Sequence, residues 1–245
     1  MKILLCLSRT PDTTTKIKFT DDGKSLDDSG VKWVINPYDD HGMGAAMELK
    51  EKHNAHLTVI HVGEANADEV IRKSLAIGAD EAIRVNAKPH DAFFVAQQIA
   101  AAAEGESFDL IITGRESIDF NGSAVTDMLG SLLNMPSFPF VTKIEPQGEE
   151  AEMVRFIDGG SETLKAKFPF IISATKELAE PKIPNMRGIM QAKRKPLKVV
   201  EPQSNEAPTE VVNFEPPQPK GEVKLIDAEN AESLIDILKK EAKVI

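Results

Sequence analysis

The segment best suited to bind a ligand is the loop at residues 114–122 together with the helix that follows it. Gly114 leaves a predicted buried strand, and Asn121-Gly122-Ser123 opens the helix. Unpaired backbone N–H groups and the helix dipole at such an end attract a phosphate, and the hydroxyl groups of Ser123 and Thr126 offer further donors. The Lys-Ser/Thr ending of a P-loop is missing, and no G-x-G-x-x-G follows the first strand. The loop predicts a phosphate site, with simple helix capping as the alternative.

Side chains suited to catalysis or metal binding form no recognisable set. The single cysteine, Cys6, falls inside a predicted buried strand, where a thiol is inert. The acidic pairs are better explained as turns and helix caps than as general acids and bases, and no serine lies in a nucleophile elbow. The histidines lack metal-ligand spacing: His41, His53, His56, His61 and His90. We therefore expect a protein without side-chain catalysis and without a metal site.

An α/β fold is needed to position these residues. Nearly continuous apolar runs are typical of strands buried on both faces of a parallel sheet, as at residues 3–7, 56–62 and 108–113. The apolar spacing between them predicts helices, and this alternation indicates a doubly wound, mostly parallel sheet of flavodoxin or Rossmann type. Ligands of such sheets bind beyond the carboxyl ends of the strands. The loops that qualify follow Leu7, Ile35, His61 and Thr113.

Two further regions flank this alternation. Residues 16–19 and 31–35 indicate short strands around a turn, and residues 138–174 are strand-rich, which predicts an antiparallel end to the sheet. Beyond residue 179 the chain loses regularity because prolines recur every few residues, until an amphipathic helix over residues 228–242. Such an arm needs a body or a partner to pack against. The predicted organisation is an α/β nucleotide-binding domain at 1–180 and an extended arm with a C-terminal helix at 199–245. Between them lie residues 181–198, which only the family resemblance given below implies to be a partner-recognition region.

The composition argues against several classes of protein. The 245 residues include 29 basic and 39 acidic ones, for a net charge of −10, whereas nucleic-acid binding normally leaves a basic footprint. No apolar run approaches the roughly 18 residues that predict a membrane helix, and a single cysteine suits a reducing cytoplasm. Residues 182–198 run against the overall charge, since they include several basic and no acidic residues. That stretch suits either docking to an acidic partner or a solvated loop.

One stretch of the chain resembles a known family. The run VRFIDGGSETL at residues 154–164, with a proline at position 169 before an apolar strand, resembles the signature of electron transfer flavoprotein beta subunits. A hairpin alone would explain the two glycines, but the ordered whole is specific. Further stretches agree in order and spacing, namely NPY at 36–38, AIGAD at 76–80 and GRESID at 114–119. The similarity covers essentially the whole chain.

The resemblance implies a nucleotide pocket and two cofactors. In such proteins the redox FAD is held mainly by the alpha subunit, and the beta subunit buries an AMP with a structural role. Asn36 and Tyr38 are then expected to hold the adenosine and the run Asn121-Gly122-Ser123 to face the phosphate, while Thr13 would lie near the flavin. The full set expected for AMP is Cys6, Asn36, Pro37, Tyr38, Asp39, Val62, Gly114, Asp119, Asn121, Gly122, Ser123, Ala124 and Val125.

The resemblance also implies a docking role for the run NMRGIMQAK at residues 185–193. Met186 aligns with the leucine that anchors the recognition loop of well-known members, and Ile189 and Met190 follow it; local packing is the alternative. Members of the family pair with an alpha subunit, accept electrons from flavin dehydrogenases such as acyl-CoA dehydrogenases, and pass them to a quinone oxidoreductase.

Departures from the family pattern leave a second function open. Residues 120–126 lack the acidic residues and the Gln-Thr-Gly of many AMP-binding members, Thr13 replaces an aromatic residue, and Phe156 replaces a glutamate that pairs with the alpha subunit in some members. An electron-bifurcating relative, with a second FAD in the nucleotide site of this subunit, is the alternative function. A stand-alone nucleotide-binding stress protein fits the sheet but not the proline-rich arm.

Overall fold

The computed structural model describes residues 1–204, 206, 208–219 and 221–245. These divide into two compact units, a larger one made of Met1–Lys16 and Asp28–Val211 and a smaller one made of Ile17–Asp27 and Val212–Ile245. The strands are, in chain order, β1 (Lys2–Leu7), β2 (Arg9–Pro11), β3 (Trp33–Ile35), β4 (His56–Val62), β5 (Glu81–Val85), β6 (Leu110–Gly114), β7 (Ser137–Gln147), β8 (Glu150–Ile157), β9 (Gly160–Lys167), β10 (Phe170–Ala174) and β11 (Leu197–Val200). The α-helices are α1 (Pro37–His53), α2 (Asp68–Ile77), α3 (Ala92–Ala103), α4 (Val125–Leu133), α5 (Met186–Ala192) and α6 (Glu232–Ile237).

The larger unit contains a nine-stranded sheet in the order β11-β5-β4-β1-β6-β10-β7-β8-β9. β1 lies between β4 and β6 and pairs parallel with both, so that Leu4 has Thr58 on one side and Ile111 on the other. The strand order reverses here, because the chain continues from β1 to β4 on one side and later returns to β6 on the other. Ligands of such sheets bind beyond the carboxyl ends of the strands that flank the reversal. The doubly wound, mostly parallel sheet predicted from the sequence is confirmed.

Apolar side chains cover both faces of the parallel part of this sheet. Alternate residues of β1 enter opposite layers, with Ile3 and Leu5 in one core cluster and Leu4 and Cys6 in the other. The first cluster includes the inner faces of α1 and α2, and the second includes those of α3 and α4. A strand covered on both faces has no polar side, which explains the nearly continuous apolar runs in the sequence.

The far end of the sheet is antiparallel, as predicted. β7 pairs antiparallel with β8, and β8 with β9. Gly159 turns the chain between β8 and β9 at φ +83, a conformation that glycine adopts without steric penalty. Arg155 lies opposite Glu162 across this hairpin, and its Nε donates to the glutamate Oε1 at 2.5 Å. The signature stretch therefore forms a tight hairpin.

Two predictions about regular structure are wrong. Residues 16–19 form no strand, and Phe19 makes only an isolated bridge to Leu26, because the surrounding lysines are exposed and have no ladder to join. Regularity also returns beyond residue 179, where α5 forms and β11 extends the sheet by pairing parallel with β5. Pro196 precedes β11 instead of interrupting it, and its carbonyl oxygen accepts the N–H of Ala82 at 3.0 Å. An edge strand tolerates a proline in that position.

The smaller unit joins the turn around residue 23 to the part of the C-terminal arm that begins at Val212. The rings of Phe19 and Phe214 stack with their centroids 5.0 Å apart. The backbone N–H of Phe214 donates to the carbonyl oxygen of Gly23 at 2.7 Å. These contacts fix the turn against the arm within this unit.

The predicted C-terminal helix is present in the smaller unit. A 3-10 turn at Ala228–Asn230 leads into α6, and a π-helical turn at Leu238–Ala242 follows it. Leu234 and Ile235 are 44% and 52% exposed, so the described residues leave part of the apolar surface of this helix uncovered. None of the described helices is both long and apolar enough to span a membrane.

Candidate functional site

Loops at the carboxyl edge of the sheet converge on Asn36. Its side-chain amide donates to Oδ1 of Asp39 at 3.0 Å and to the carbonyl oxygen of Glu116 at 2.8 Å, and its side-chain oxygen accepts the N–H of Ile118 at 3.2 Å. Its backbone N–H donates to the carbonyl oxygen of Ser8 at 2.9 Å. Asn36 is fully buried and uses both amide hydrogens within the protein. Its role is therefore to position the loops that follow β1, β3 and β6.

Asp39 completes this buried network. Its Oδ2 accepts the N–H of Ser8 at 2.5 Å, and its carboxyl group also accepts from Asn36 and from the N–H of Gly114. Burial raises the pKa of Asp39 to about 7, against the lowering effect of these donors. Because the unfolded carboxyl keeps its ordinary pKa of 3.8, the folded chain binds an extra proton between pH 3.8 and about 7. Rising pH across that window lowers the contribution of Asp39 to the free energy of unfolding.

Gly114 lets the end of β6 pass close to this network. A β-carbon at position 114 would lie 2.1 Å from Oδ1 of Asp39, 3.0 Å from Cβ of Tyr38 and 3.1 Å from Nδ2 of Asn36. Glycine is the residue that fits there without displacing the carboxylate. Pro37 stands in the first turn of α1, where its missing N–H is no loss. The structure thus brings together the four predicted residues at 36–39 with Gly114.

The loop after β6 presents the start of α4. Asn121 and Ser123 adopt left-handed backbone conformations, at φ +52 and +48. Ala124 precedes the helix and no described side chain caps it, so the first N–H groups of α4 are not used by a capping side chain. The hydroxyl group of Ser123 donates to Oε2 of Glu116 at 2.8 Å. Glu116 is not among the site residues predicted from the sequence, and its place inside the GRESID stretch is the signal that could have pointed to it.

The remaining predicted site residues lie in two different environments. Cys6 and Val62, near the carboxyl ends of β1 and β4, are buried in the same core cluster. Burial raises the pKa of the Cys6 thiol, so it stays protonated and acts as an apolar group. Asp119 and Thr13 are exposed, the latter in the turn after β2. Cys6 and Val62 contribute buried surface, whereas Thr13 and Asp119 face solvent.

The loop after β4, also named as a ligand loop from the sequence, is held by its own histidine. Nδ1–H of His61 donates to the carbonyl oxygen of Leu7 at 2.8 Å. Burial lowers the pKa of His61 to about 4, which keeps the ring neutral at pH 7. A β-carbon at Gly63 would lie 2.3 Å from Nε2 of the same ring. His61 therefore fastens the end of β4 to the end of β1.

A second candidate surface is the apolar docking ridge on and beside α5. We define the docking ridge as Ile183, Met186, Ile189 and Met190, which are 90%, 75%, 44% and 70% exposed. Basic side chains of the same segment are exposed around it, namely Lys182, Arg187, Lys193, Arg194 and Lys198. Exposed apolar surface rimmed by charge is typical of a protein interaction site.

The docking ridge rests on a segment that is tied to α2. Nη1 of Arg72 donates to the carbonyl oxygens of Ala192 and Lys195, both at 2.8 Å. Nζ of Lys195 donates to the carbonyl oxygens of Leu75 and Ala79, at 3.0 and 2.5 Å. These four bonds hold the ridge in place without using any of its apolar side chains.

Replacing Gly188 with alanine is expected to loosen the docking ridge. Its β-carbon would lie 2.2 Å from the carbonyl oxygen of Ala76 in α2, so α5 must shift away from α2. We expect the free energy of unfolding to fall by about 1 to 3 kcal/mol, because the overpacked contact forces the backbone of α5 to move. Calorimetric melting would measure this. Gly160→Ala, whose β-carbon meets no described atom within 4 Å, is the matched control; an unchanged melting temperature for Gly188→Ala would contradict the expectation.

The chain is similar in sequence to known proteins along most or all of its length. The family profile described as electron transfer flavoprotein domain matches residues 24–205. A Bacillus subtilis protein, electron transfer flavoprotein subunit beta, is 35% identical over an alignment of 260 positions that spans 100% of both chains. A protein of the same name from Dictyostelium discoideum is 33% identical over 100% of this chain and 99% of its own. Another from Homo sapiens is 32% identical over 82% of this chain and 82% of its own. The chain belongs to the electron transfer flavoprotein beta-subunit family.

Proposed function

We propose that this chain is the nucleotide-binding and docking subunit of a heterodimeric electron carrier. An alpha subunit would hold the redox FAD, and this chain would bind a structural AMP and dock the flavin dehydrogenases that deliver electrons, which pass on to a quinone oxidoreductase. FAD, when bound, supplies all the redox chemistry. The side chains of this chain bind and orient, and catalysis by them forms no part of the proposal. The compartment we propose is the cytoplasm, which suits a single cysteine kept as a buried thiol.

The observation that carries the AMP proposal is the network around Asn36. It fixes three loops at the point where the strand order reverses, and it places the N-terminus of α4 after the last of them. In this arrangement Tyr38 and Pro37 would contact the adenosine, with Cys6 and Val62 beneath. Asn121, Gly122, Ser123 and the first N–H groups of α4 would receive the phosphate. Asn36 and Asp39 would hold these groups in place.

The arm and C-terminal helix support an alpha-subunit partner. Val223, Leu225 and Val244, all in the smaller unit, are 77%, 90% and 67% exposed, as expected for an extended segment that wraps another chain. Thr13, in the turn after β2, and Phe156, at the end of β8 and 44% exposed, are the positions we propose near the FAD domain.

The docking ridge supports the dehydrogenase as partner. A flavin dehydrogenase with an apolar pocket edged by acidic residues would match both the exposed Met186 and the basic side chains around it. Methionine is unbranched and polarisable, so it adapts to more than one partner surface. Local packing, the alternative drawn from the sequence, does not account for side chains that are three-quarters exposed.

Counting the nucleotides tests this function against the bifurcating alternative. The chain would be co-expressed with its alpha subunit, and the purified complex would be denatured and its released nucleotides identified and counted. We expect one FAD and one AMP per heterodimer. Two FAD and no AMP would instead assign a second flavin to the nucleotide site of this subunit. No adenine nucleotide beyond a single FAD would contradict both.

Replacing Glu116 with glutamine is expected to tighten AMP binding. The Glu116 carboxylate sits against the Ser123 hydroxyl group, where the phosphate is expected, so two negative charges would compete for one donor. Removing that charge while keeping the shape should lower the Kd for AMP about tenfold. Calorimetric titration of the nucleotide-free complex would measure it. A Kd for AMP that stays the same or rises would place the phosphate away from Ser123. Glu106→Gln is the control variant, because Glu106 lies far away, at the amino edge of the sheet.

A further inference from the structure

Methionines are distributed unevenly between the interior and the surface of this chain. Of the eight, Met43 and Met153 have no exposed surface. Met186 and Met190, in contrast, are 75% and 70% exposed. Those that remain are partly buried and pack against the two core clusters, namely Met1, Met47, Met128 and Met135. Both strongly exposed thioethers therefore lie on the docking ridge, at the i, i+4 spacing that places them on one face of α5.

We propose that Met186 and Met190 form a peroxide-sensitive modification site, at which oxidation to methionine sulfoxide weakens docking of the flavin dehydrogenase. The inference rests on the docking role proposed above and adds a way of regulating it. Hydrogen peroxide, which forms wherever reduced flavins meet dioxygen, is the oxidant we assign.

The chemistry of the step is a two-electron oxygen transfer. The thioether sulfur attacks one oxygen of hydrogen peroxide, an S–O bond forms, the O–O bond breaks, and proton transfer to the departing oxygen releases water. Sulfur is oxidised by two electrons and peroxide is reduced by two. Methionine sulfoxide reductases reverse the change, one enzyme for each sulfoxide epimer.

Exposure decides which methionines react, and position decides what the reaction does. A buried thioether must wait for local opening before peroxide reaches it, whereas Met186 and Met190 need no opening. The sulfoxide converts an apolar, flexible side chain into a polar one. On an open surface the new oxygen keeps its water, whereas in an apolar interface it must be desolvated at a cost in free energy. We expect each sulfoxide to weaken docking on the order of tenfold.

The test begins with the heterodimer purified from co-expression. The complex would be treated with graded hydrogen peroxide, quenched with catalase, and digested for peptide mass spectrometry at all eight methionines. We expect Met186 and Met190 to reach half oxidation at a dose at least about tenfold below that for Met43 and Met153, since only the buried pair requires opening. Equal sensitivity of exposed and buried methionines would overturn the proposal.

The second readout is docking itself. A purified acyl-CoA dehydrogenase, never exposed to peroxide, would reduce the treated complex, with KM and kcat measured separately. We expect the KM for the oxidised complex to rise at least about tenfold, with kcat and flavin content unchanged, and to return after treatment with both sulfoxide reductases. A KM that stays constant while both sulfoxides are present would overturn the proposal.

Substitutions separate this site from oxidation elsewhere in the complex. In the double variant Met186→Leu/Met190→Leu the side chains keep their apolar volume but lack the sulfur, so peroxide should leave its KM where it was in the untreated variant. Met128→Leu, which keeps both ridge methionines, should respond to peroxide as the wild type does. A double variant that loses docking on peroxide treatment as the wild type does would assign the effect to another residue.

The failure of docking and the failure of oxidation control are distinguishable. If Met186→Ala leaves the KM of the untreated complex unchanged, the ridge is not the docking surface and the proposed function fails at that point. If Met186→Ala raises the KM but the sulfoxides do not, docking stands and the modification site alone is refuted.

Discussion

Replacing Gly114 with alanine is expected to destabilise the larger unit and to empty the nucleotide site proposed for it. The new β-carbon would fall 2.1 Å from Oδ1 of Asp39, a buried carboxylate that holds loops after β1 and β6. Oδ1 of Asp39 cannot move away from the new β-carbon easily, because its carboxylate accepts hydrogen bonds from Ser8 and Asn36. Overpacking together with a broken buried hydrogen bond should lower the free energy of unfolding by about 3 kcal/mol.

Two measurements on the purified heterodimer check this expectation. Calorimetry should show a melting temperature lower by roughly 6–12 °C, and the nucleotide released on denaturation should contain FAD but little AMP. Gly160→Ala is the matched control, since its β-carbon meets no described atom within 4 Å and it lies at the antiparallel end of the same sheet, away from the proposed nucleotide site. A Gly114→Ala complex with normal stability and a full complement of AMP would mean that the Asn36 network does not shape the nucleotide site.

Replacing Met186 with alanine is expected to slow electron transfer from the dehydrogenase while leaving the protein intact. The side chain is 75% exposed, so its truncation removes little from the core and should leave stability and flavin content normal. Truncation of a central apolar anchor at an interface costs about 2 kcal/mol, which corresponds to roughly a 30-fold loss in kcat/KM. The loss should fall on KM for the carrier, because the chemistry at the flavin is untouched.

Stopped-flow and steady-state kinetics with one dehydrogenase would measure this loss. Leu132→Ala is the control, since this leucine is also apolar and 41% exposed but lies on α4, which packs on the other face of the sheet. An unchanged rate for Met186→Ala, or an equal loss for Leu132→Ala, would move the docking surface away from the ridge.

Local patterns in the sequence predict the strands and helices of the parallel part of the sheet up to β6, and the class of the fold. Apolar runs such as that of β1 report burial on both faces, and this signal is local, so it survives without knowledge of the neighbours. The positions of Asn36 and Gly114 at the ends of strands followed from the same reasoning, as did the lack of regular structure around many of the prolines. Family resemblance then supplied roles that no local pattern contains.

The contacts that these residues make depend on how the strands pair. Asn36 and Glu116 are 80 positions apart, and their hydrogen bond exists because β6 pairs beside β1. That pairing gives Asn36 the bonds by which it positions the loops, and it places the Glu116 carboxylate against Ser123.

The segment after residue 179 also takes its structure from long-range contacts that local sequence patterns do not contain. Its prolines and charges predict an irregular chain, yet α5 and β11 form there because partners far away in sequence accept their backbone groups. Arg72 binds the end of α5, and β5 offers an open edge to β11. Local propensity is worth a few tenths of a kcal/mol per residue, whereas each such bond is worth about 1 kcal/mol, so long-range contacts prevail. The sequence sets which segments are able to fold, and the packed sheet selects the arrangement in which they do.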